Sequence, residues 1–158
     1  MRMTFETDLR ASVKGATKTV IVGIGNELNG DDGFGVHVAG ELGSSGRIIS
    51  IQAHTVPENF ISKIAGEKPS HVIFIDAADL GAEPGTLELL SPGDLARVKT
   101  VTHRIPLARL IERLESMHGC RVLIIGMQPA GMAVGSGLSA KALGAARVLI
   151  DLLRHCMT

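Results

Sequence analysis

Three polar residues of this sequence lie where apolar stretches give way to loops, and their side chains could do chemistry together. Asp76 directly follows the apolar stretch 71–75, where a carboxylate is costly unless it is solvated, paired or bound to a metal. Asp32 lies in the loop after the first apolar stretch, and His103 lies in a loop before a helix that begins with proline. Two carboxylates and one imidazole suit a borderline divalent ion with coordination positions left open, but they do not name the metal.

Several polar residues of these loops also have a plainer interpretation. Asp32 fits the acidic first turn of the next helix about as well as it fits a site, and Asp31 fits the cap of that helix better than a site. An exposed loop position is the commoner fate of a histidine such as His103, and Asp79 fits a turn. His54 follows the second predicted strand and is a candidate auxiliary residue, although loop histidines are often only solvated.

The loop after the first apolar stretch reads GIGNELNGDDGFG, which partly matches a dinucleotide-binding fingerprint. The match fails because Leu28 stands where the third glycine belongs and no acidic residue ends the second strand. Asp31 and Asp32 also place negative charge where a phosphate would bind. A serine-hydrolase elbow is absent too, since no serine has a GxSxG context.

The rest of the sequence predicts strands alternating with helices, and these elements carry the polar residues. Apolar, β-branched runs predict strands buried on both faces at 19–24, 71–75 and 121–125, with weaker strands at 47–52 and 85–90. Helical patterns lie between them at 34–42, 57–66, 106–118 and about 139–155. This alternation predicts an α/β fold, a three-layer α/β/α sandwich. Ligands bind such sheets beyond the carboxyl ends of the strands, which is where the three polar residues fall.

Composition narrows the function classes. The 158 residues suit one domain, and 16 basic side chains balance 16 acidic ones without a basic stripe, so a nucleic-acid partner is not expected. Cys120 and Cys156 form neither a disulfide framework nor a CxxC pair, which predicts a reducing, cytoplasmic location. No apolar run approaches the ~20 residues of a membrane span, so no membrane insertion is expected. Residues 1–16 lack the apolar core of a signal peptide and are predicted to be a flexible leader before a single domain at 17–158.

Five motifs occur in order along the chain: GIGNELNGDDGFG, TVPEN, VIFIDAADLGAEPG, TVTHRIPL and IIGMQP. Together they resemble the hydrogenase maturation proteases, the endopeptidases that trim the C-terminus of the [NiFe]-hydrogenase large subunit. The resemblance extends from about Lys18 to the final helix. The GDDG loop, the PEN sequence and the THxxPL segment are most similar to the branch that serves hydrogenase 3-type enzymes.

The resemblance implies a twisted, mostly parallel five-stranded sheet and a site in which nickel contacts three side chains, those of Asp32, Asp76 and His103. It also implies that Asn26 and Asp31 belong to the loop that shapes the site. The sequence departs from the family after the second strand, where Asp-Gly-Gly is common and residues 52–54 read Gln-Ala-His. The usual carboxylate is therefore missing, and His54 becomes a candidate substrate contact or auxiliary ligand.

The function that the resemblance implies is removal of a short C-terminal extension from a precursor whose own cysteines already hold the nickel. Cleavage is expected after a basic residue that follows the last nickel cysteine. Either the metal polarises the scissile carbonyl or activates water, or Asp32 or Asp76 acts as general base. Two other classes stay open: a non-catalytic nickel- or precursor-binding module of the same fold, and a nucleotide-binding α/β protein, which the failed fingerprint disfavours.

Overall fold

The structure, a computed structural model, describes residues 2–96, 98 and 104–157. A five-stranded sheet contains β1 (Thr19–Ile24), β2 (Ile48–His54), β3 (His71–Ala77), β4 (Leu87–Leu90) and β5 (Arg121–Met127). Its order is β2-β1-β3-β5-β4, and only the pairing of β4 with β5 is antiparallel. The prediction of a mostly parallel five-stranded sheet is confirmed.

Helices cover both faces of this sheet. They are α1 (Arg2–Val13), α2 (Phe34–Leu42), α3 (Ile61–Gly66), α4 (Arg104–His118) and α5 (Ala140–Cys156). Apolar side chains of α1, α2 and α5 pack on one face, against Ile21, Ile73 and Ile125, and those of α3 and α4 pack on the other, against Val22 and Phe74. The molecule therefore has the predicted three layers. Among the described residues, no helix is both long and apolar enough to cross a membrane.

The central strands are apolar on both faces because both faces are covered. Every residue of β1 and of β3 is buried, which explains why the middle residues of both strands are continuously apolar instead of alternating. β3 extends two residues beyond the predicted end, because its pairing with β5 continues from Asp76 to Gly126 and from Ala77 to Met127. Asp76 is therefore the penultimate residue of β3 and not the first residue after it.

The N-terminal segment differs from the flexible leader predicted for residues 1–16. Residues Arg2–Val13 form α1, and Phe5, Leu9 and Val13 are buried in the same core as α5. These three positions are four residues apart, so they lie on one side of the helix. The carbonyl of Ser12 in the last turn also lies 3.1 Å from Nε2 of His71 at the start of β3. Three apolar side chains and this contact fix the segment to the domain.

Candidate active site

The site region lies where the order of the sheet reverses. The chain leaves β1 for β2 on one side and later reaches β3 on the other side of β1. The helices α2 and α3, which make these two connections, pack on opposite faces of the sheet. Such a reversal opens a crevice at the carboxyl ends of the two strands, and this is where ligands of open α/β sheets bind.

The loop after β1 folds back tightly on itself at the mouth of this crevice. Gly25 has a φ of +142°, and a Cβ atom at this position would collide with the carbonyl oxygen of Asp32. The Asn26 amide donates to both the main-chain carbonyl and Oδ2 of Asp32, at 3.2 Å each. The side-chain oxygen of Asn26 accepts from the Leu28 amide at 2.9 Å, which closes a small turn. Gly25 and Asn26 thus determine where Asp32 lies.

Asp32 is a buried carboxylate that the described part of the chain satisfies only in part. It is 5% exposed, lies in a 3₁₀ turn (Gly30–Gly33) and uses Oδ2 to accept the Asn26 amide. Its Oδ1 has no hydrogen-bond partner among the described residues. Burying a carboxylate oxygen without a hydrogen-bond donor costs free energy. Oδ1 is therefore suited to accept a hydrogen bond from a ligand or to bind a cation that a ligand brings.

Asp76 lies at the same edge of the sheet as Asp32. It is 2% exposed near the end of β3, one residue beyond the point where β3 stops pairing with β1. The 3₁₀ turn that carries Asp32 contacts β3 directly. At the start of α2, Gly35 lies against the carbonyl oxygens of Ile24 and Ile75, where a Cβ atom would not fit. The close approach of α2 to the ends of β1 and β3 therefore brings the two carboxylates to one crevice.

Asp31 does not cap the helix that follows it, so the prediction of a capping role was wrong. Neither the 3₁₀ turn nor α2 has a side-chain cap. Instead, Oδ1 of Asp31 accepts from the Ser139 amide at 2.7 Å, and Oδ2 accepts from the Ser139 hydroxyl at 2.7 Å and the Ala130 amide at 2.8 Å. Asp31 is 1% exposed and fastens the loop after β1 to the loop after β5. Its partners are about a hundred residues away, which local sequence patterns do not reveal.

His54 lies at the rim of the crevice in a left-handed conformation, with a φ of +54°. Its carbonyl accepts from the Gly25 amide at 2.9 Å, and its Nδ1 lies 3.8 Å from Oε1 of Glu27, with both side chains more than half exposed. Left-handed backbone is uncommon for residues other than glycine, and the resemblance places a glycine here in the family. Glu27, which the sequence analysis did not select, is thus the acidic neighbour of His54.

Two further polar residues support the loops around the crevice. Gln52, which replaces the usual carboxylate, donates its amide to the Val36 carbonyl at 3.0 Å and so contacts α2. Gln128, from the IIGMQP motif, accepts from the Leu80 amide at 2.6 Å and joins the end of β5 to the loop after β3. Asp79 accepts from the Gly81 amide at 3.1 Å, which is the turn predicted for it.

His103 lies outside the described residues, so the structure does not place it relative to Asp32 and Asp76. Within the described ranges, no three His, Cys, Asp or Glu side chains are grouped closely enough to hold a metal ion. The described part of the site is therefore a pair of buried carboxylates at one edge of the sheet, with one oxygen of Asp32 available to a ligand.

Comparison with known sequences relates this chain to a single family. A family model described as hydrogenase maturation protease matches residues 37–154. The chain is 34% identical over 113 residues to the hydrogenase 3 maturation protease of Escherichia coli K12, which covers 70% of this chain and 72% of that protein. It is 32% identical over 127 residues to a putative hydrogenase maturation protease of Methanocaldococcus jannaschii, which covers 74% of this chain and 75% of that one.

Comparison with solved structures agrees. The [NiFe] hydrogenase maturation protease HycI from Thermococcus kodakarensis KOD1 superposes with a TM-score of 0.84 at 30% identity, over 95% of this chain and 98% of that chain. The endopeptidase HycI from Escherichia coli superposes with a TM-score of 0.76 at 28% identity, over 85% and 87% of the two chains. These proteins share both the fold and a substantial part of the sequence with this chain.

Proposed function

The chain belongs to the hydrogenase maturation protease family, and we propose that it removes the C-terminal extension of a nickel-loaded [NiFe]-hydrogenase large-subunit precursor. Membership makes it a peptidase. The precursor as substrate is supported by the relatives, one of which is named for hydrogenase 3. The observation that carries the proposal for this chain is the buried Asp32, whose Oδ1 lacks a partner among the described residues at the crevice that Asp76 shares.

We treat the nickel as part of the substrate, since the precursor's own cysteines would bring it to the site. Asp32 and Asp76 offer carboxylate oxygens, and His103 would add an imidazole, so the three would complete the coordination of an ion that thiolates already hold. The chemistry of this set fits a borderline divalent ion that arrives with some ligands in place. His54 at the rim would contact the precursor beside the nickel, together with Glu27.

The residues of the chain have two tasks in hydrolysis. Asp32 and Asp76 fix the loaded precursor so that its scissile bond lies at the crevice. A carboxylate then accepts a proton from the attacking water and returns it to the leaving amine, and Oδ1 of Asp32 suits this role because no described donor occupies it. Nickel that reaches the scissile carbonyl would polarise it. Both carboxylates therefore serve binding, and Asp32 also serves proton transfer.

A cleavage assay with and without nickel tests this proposal. Purified chain is incubated with nickel-loaded and with nickel-free precursor, and the intact mass of the precursor is followed. We expect the wild-type chain to remove C-terminal mass from the nickel-loaded precursor and not from the nickel-free precursor. We expect the His103→Ala variant to remove no mass from either. An unchanged mass with the wild-type chain would remove the protease assignment for this precursor. Equal cleavage of both precursors, or full activity of His103→Ala, would remove the role of nickel or of its proposed imidazole ligand.

The alternative of a non-catalytic nickel- or precursor-binding module is not favoured. The matching family is described as a protease, and a structural relative of 28% identity is described as an endopeptidase. The cytoplasmic location remains a prediction from the sequence.

A further inference from the structure

The exposed apolar side chains of this protein are unevenly distributed. Among the described residues, five large apolar side chains are exposed: Leu28, Val56, Met132, Val134 and Leu143. All but the last lie in loops that follow β1, β2 and β5, at the edge of the sheet that carries Asp32 and Asp76. Single exposed apolar residues are ordinary, but several at the edge that holds a candidate active site require an explanation.

Leu28, Met132 and Val134 lie on two loops that are joined to each other. The Gly135 amide donates to the Leu28 carbonyl at 2.8 Å, and the Gly30 amide donates to the Ser136 carbonyl at 3.1 Å. Gly30 lies so close to the main chain of Met132 that a Cβ atom would come within 3.3 Å of the Met132 Cα atom. Leu28 is 70% exposed and Val134 is 82% exposed. We call these three side chains the apolar platform.

The apolar platform is held in place before any partner binds. Asp31 accepts three hydrogen bonds from Ala130 and Ser139, at the two ends of the segment that carries Met132 and Val134. The Asp31 amide donates to the Gly131 carbonyl at 2.9 Å as well. An apolar surface on loops fixed in this way loses little conformational entropy on binding, which favours a binding role.

We propose that the apolar platform docks an apolar patch on the folded body of the large-subunit precursor while its C-terminal segment enters the crevice. This inference rests on the proposed function. Leu28 and Asp32 belong to the same short loop, so a protein that presents a peptide bond to Asp32 also covers Leu28. A second copy of this chain on the platform would block the crevice, which argues for the precursor as the occupant. The platform gives affinity for the precursor, while the crevice performs the chemistry.

The test compares a platform variant with a matched control. The variant carries Leu28→Ser and Val134→Ser, and the control carries Leu143→Ser, an exposed apolar side chain on α5. Cleavage of nickel-loaded precursor is measured as KM and kcat, and thermal unfolding checks that both variants are folded. We expect KM to rise about tenfold or more in the platform variant with kcat retained, and both constants to be unchanged in the control. An unchanged KM, or a loss confined to kcat, would overturn the platform.

Failure of the platform can be told apart from failure of the proposed function. Wild-type chain that cleaves the precursor, with a platform variant of equal KM, overturns only the platform. If the wild-type chain leaves the precursor uncut, the proposed function fails. Calorimetric binding of the same precursor to the wild-type chain, the platform variant and the control then decides whether the platform docks the precursor. No binding to the wild-type chain, or equal affinity of the wild-type chain and the platform variant, overturns the platform. A wild-type dimer in sedimentation that the platform variant abolishes would identify a second copy as the occupant and also overturn the proposal.

Discussion

The two neighbouring aspartates of the GDDG loop have opposite roles at the residue scale. Asp31 has three donors and is fully satisfied by the protein, whereas Asp32 keeps an oxygen that no described residue satisfies. The sequence placed both in one acidic loop and left Asp32 undecided between a helix turn and a site. It assigned Asp31 to a helix cap and missed its partners Ala130 and Ser139, because they come from the far end of the chain.

Removal of the Asp31 carboxylate tests its structural role. Asp31→Ala leaves the amides of Ala130 and Ser139 and the Ser139 hydroxyl without their acceptor, so we expect a loss of about 2–3 kcal/mol in the free energy of unfolding. The comparison is Ser139→Ala, which removes one of these bonds and the cap of α5 and should cost about 1 kcal/mol. Urea denaturation measures both. Asp31→Ala as stable as the wild type would contradict the assignment.

At the element scale, the closeness of α2 to the sheet determines the site. A Cβ atom at Gly35 would run into the carbonyl oxygens of Ile24 and Ile75, so Gly35→Ala must push α2 away from the ends of β1 and β3. We expect a loss of about 3 kcal/mol or more, measured by thermal unfolding. Gly144→Ala in α5 is the matched control, since nothing lies within 4 Å of its Cβ position, and it should stabilise by about 0.5–1 kcal/mol. Equal effects of the two changes would show that α2 does not require this contact.

The attachment of α1 should depend on pH through His71. Burial lowers the pKa of the His71 imidazole from its ordinary 6.5, and the positive charge of Arg121 lowers it further, against the opposing effect of the Ser12 carbonyl. The unfolded chain therefore takes up a proton at a higher pH than the folded chain does. The stability that His71 contributes is complete above the unfolded pKa and decreases as the pH falls below it.

Urea unfolding at about pH 7.5 and about pH 5.5 checks this dependence. We expect the wild-type chain to lose stability between the two, and His71→Gln to show a smaller loss, because glutamine keeps hydrogen-bonding capacity but does not titrate. Equal losses in both proteins would assign the pH dependence to other groups. The packing of α1 against the domain could not be predicted from the sequence. Its three buried apolar residues are too few to distinguish it from the flexible leader that was predicted.

At the scale of the whole molecule, most of the fold was predictable and part of the site was not. β1, β3 and β5 were predicted because strands covered on both faces must be apolar throughout. Asp32 and Asp76 were both identified because ligands of such sheets bind beyond the carboxyl ends of the strands, and the structure places β1 beside β3. The contacts of Asp31, Gln52 and Glu27 were missed because they depend on how distant loops meet, and no local pattern encodes that.

We propose that Asp32 and Asp76 act together on a nickel-loaded precursor, and the intact mass of that precursor is the measurement that checks this role. Nickel-loaded precursor is incubated with the wild-type chain, Asp32→Asn, Asp76→Asn and the control Asp79→Asn, whose amide oxygen can still accept from Gly81. We predict C-terminal mass loss with the wild-type chain and the control, and a rate lower by about a hundredfold or more with each of the other two variants. Cleavage at the wild-type rate by folded Asp32→Asn or Asp76→Asn would contradict the account.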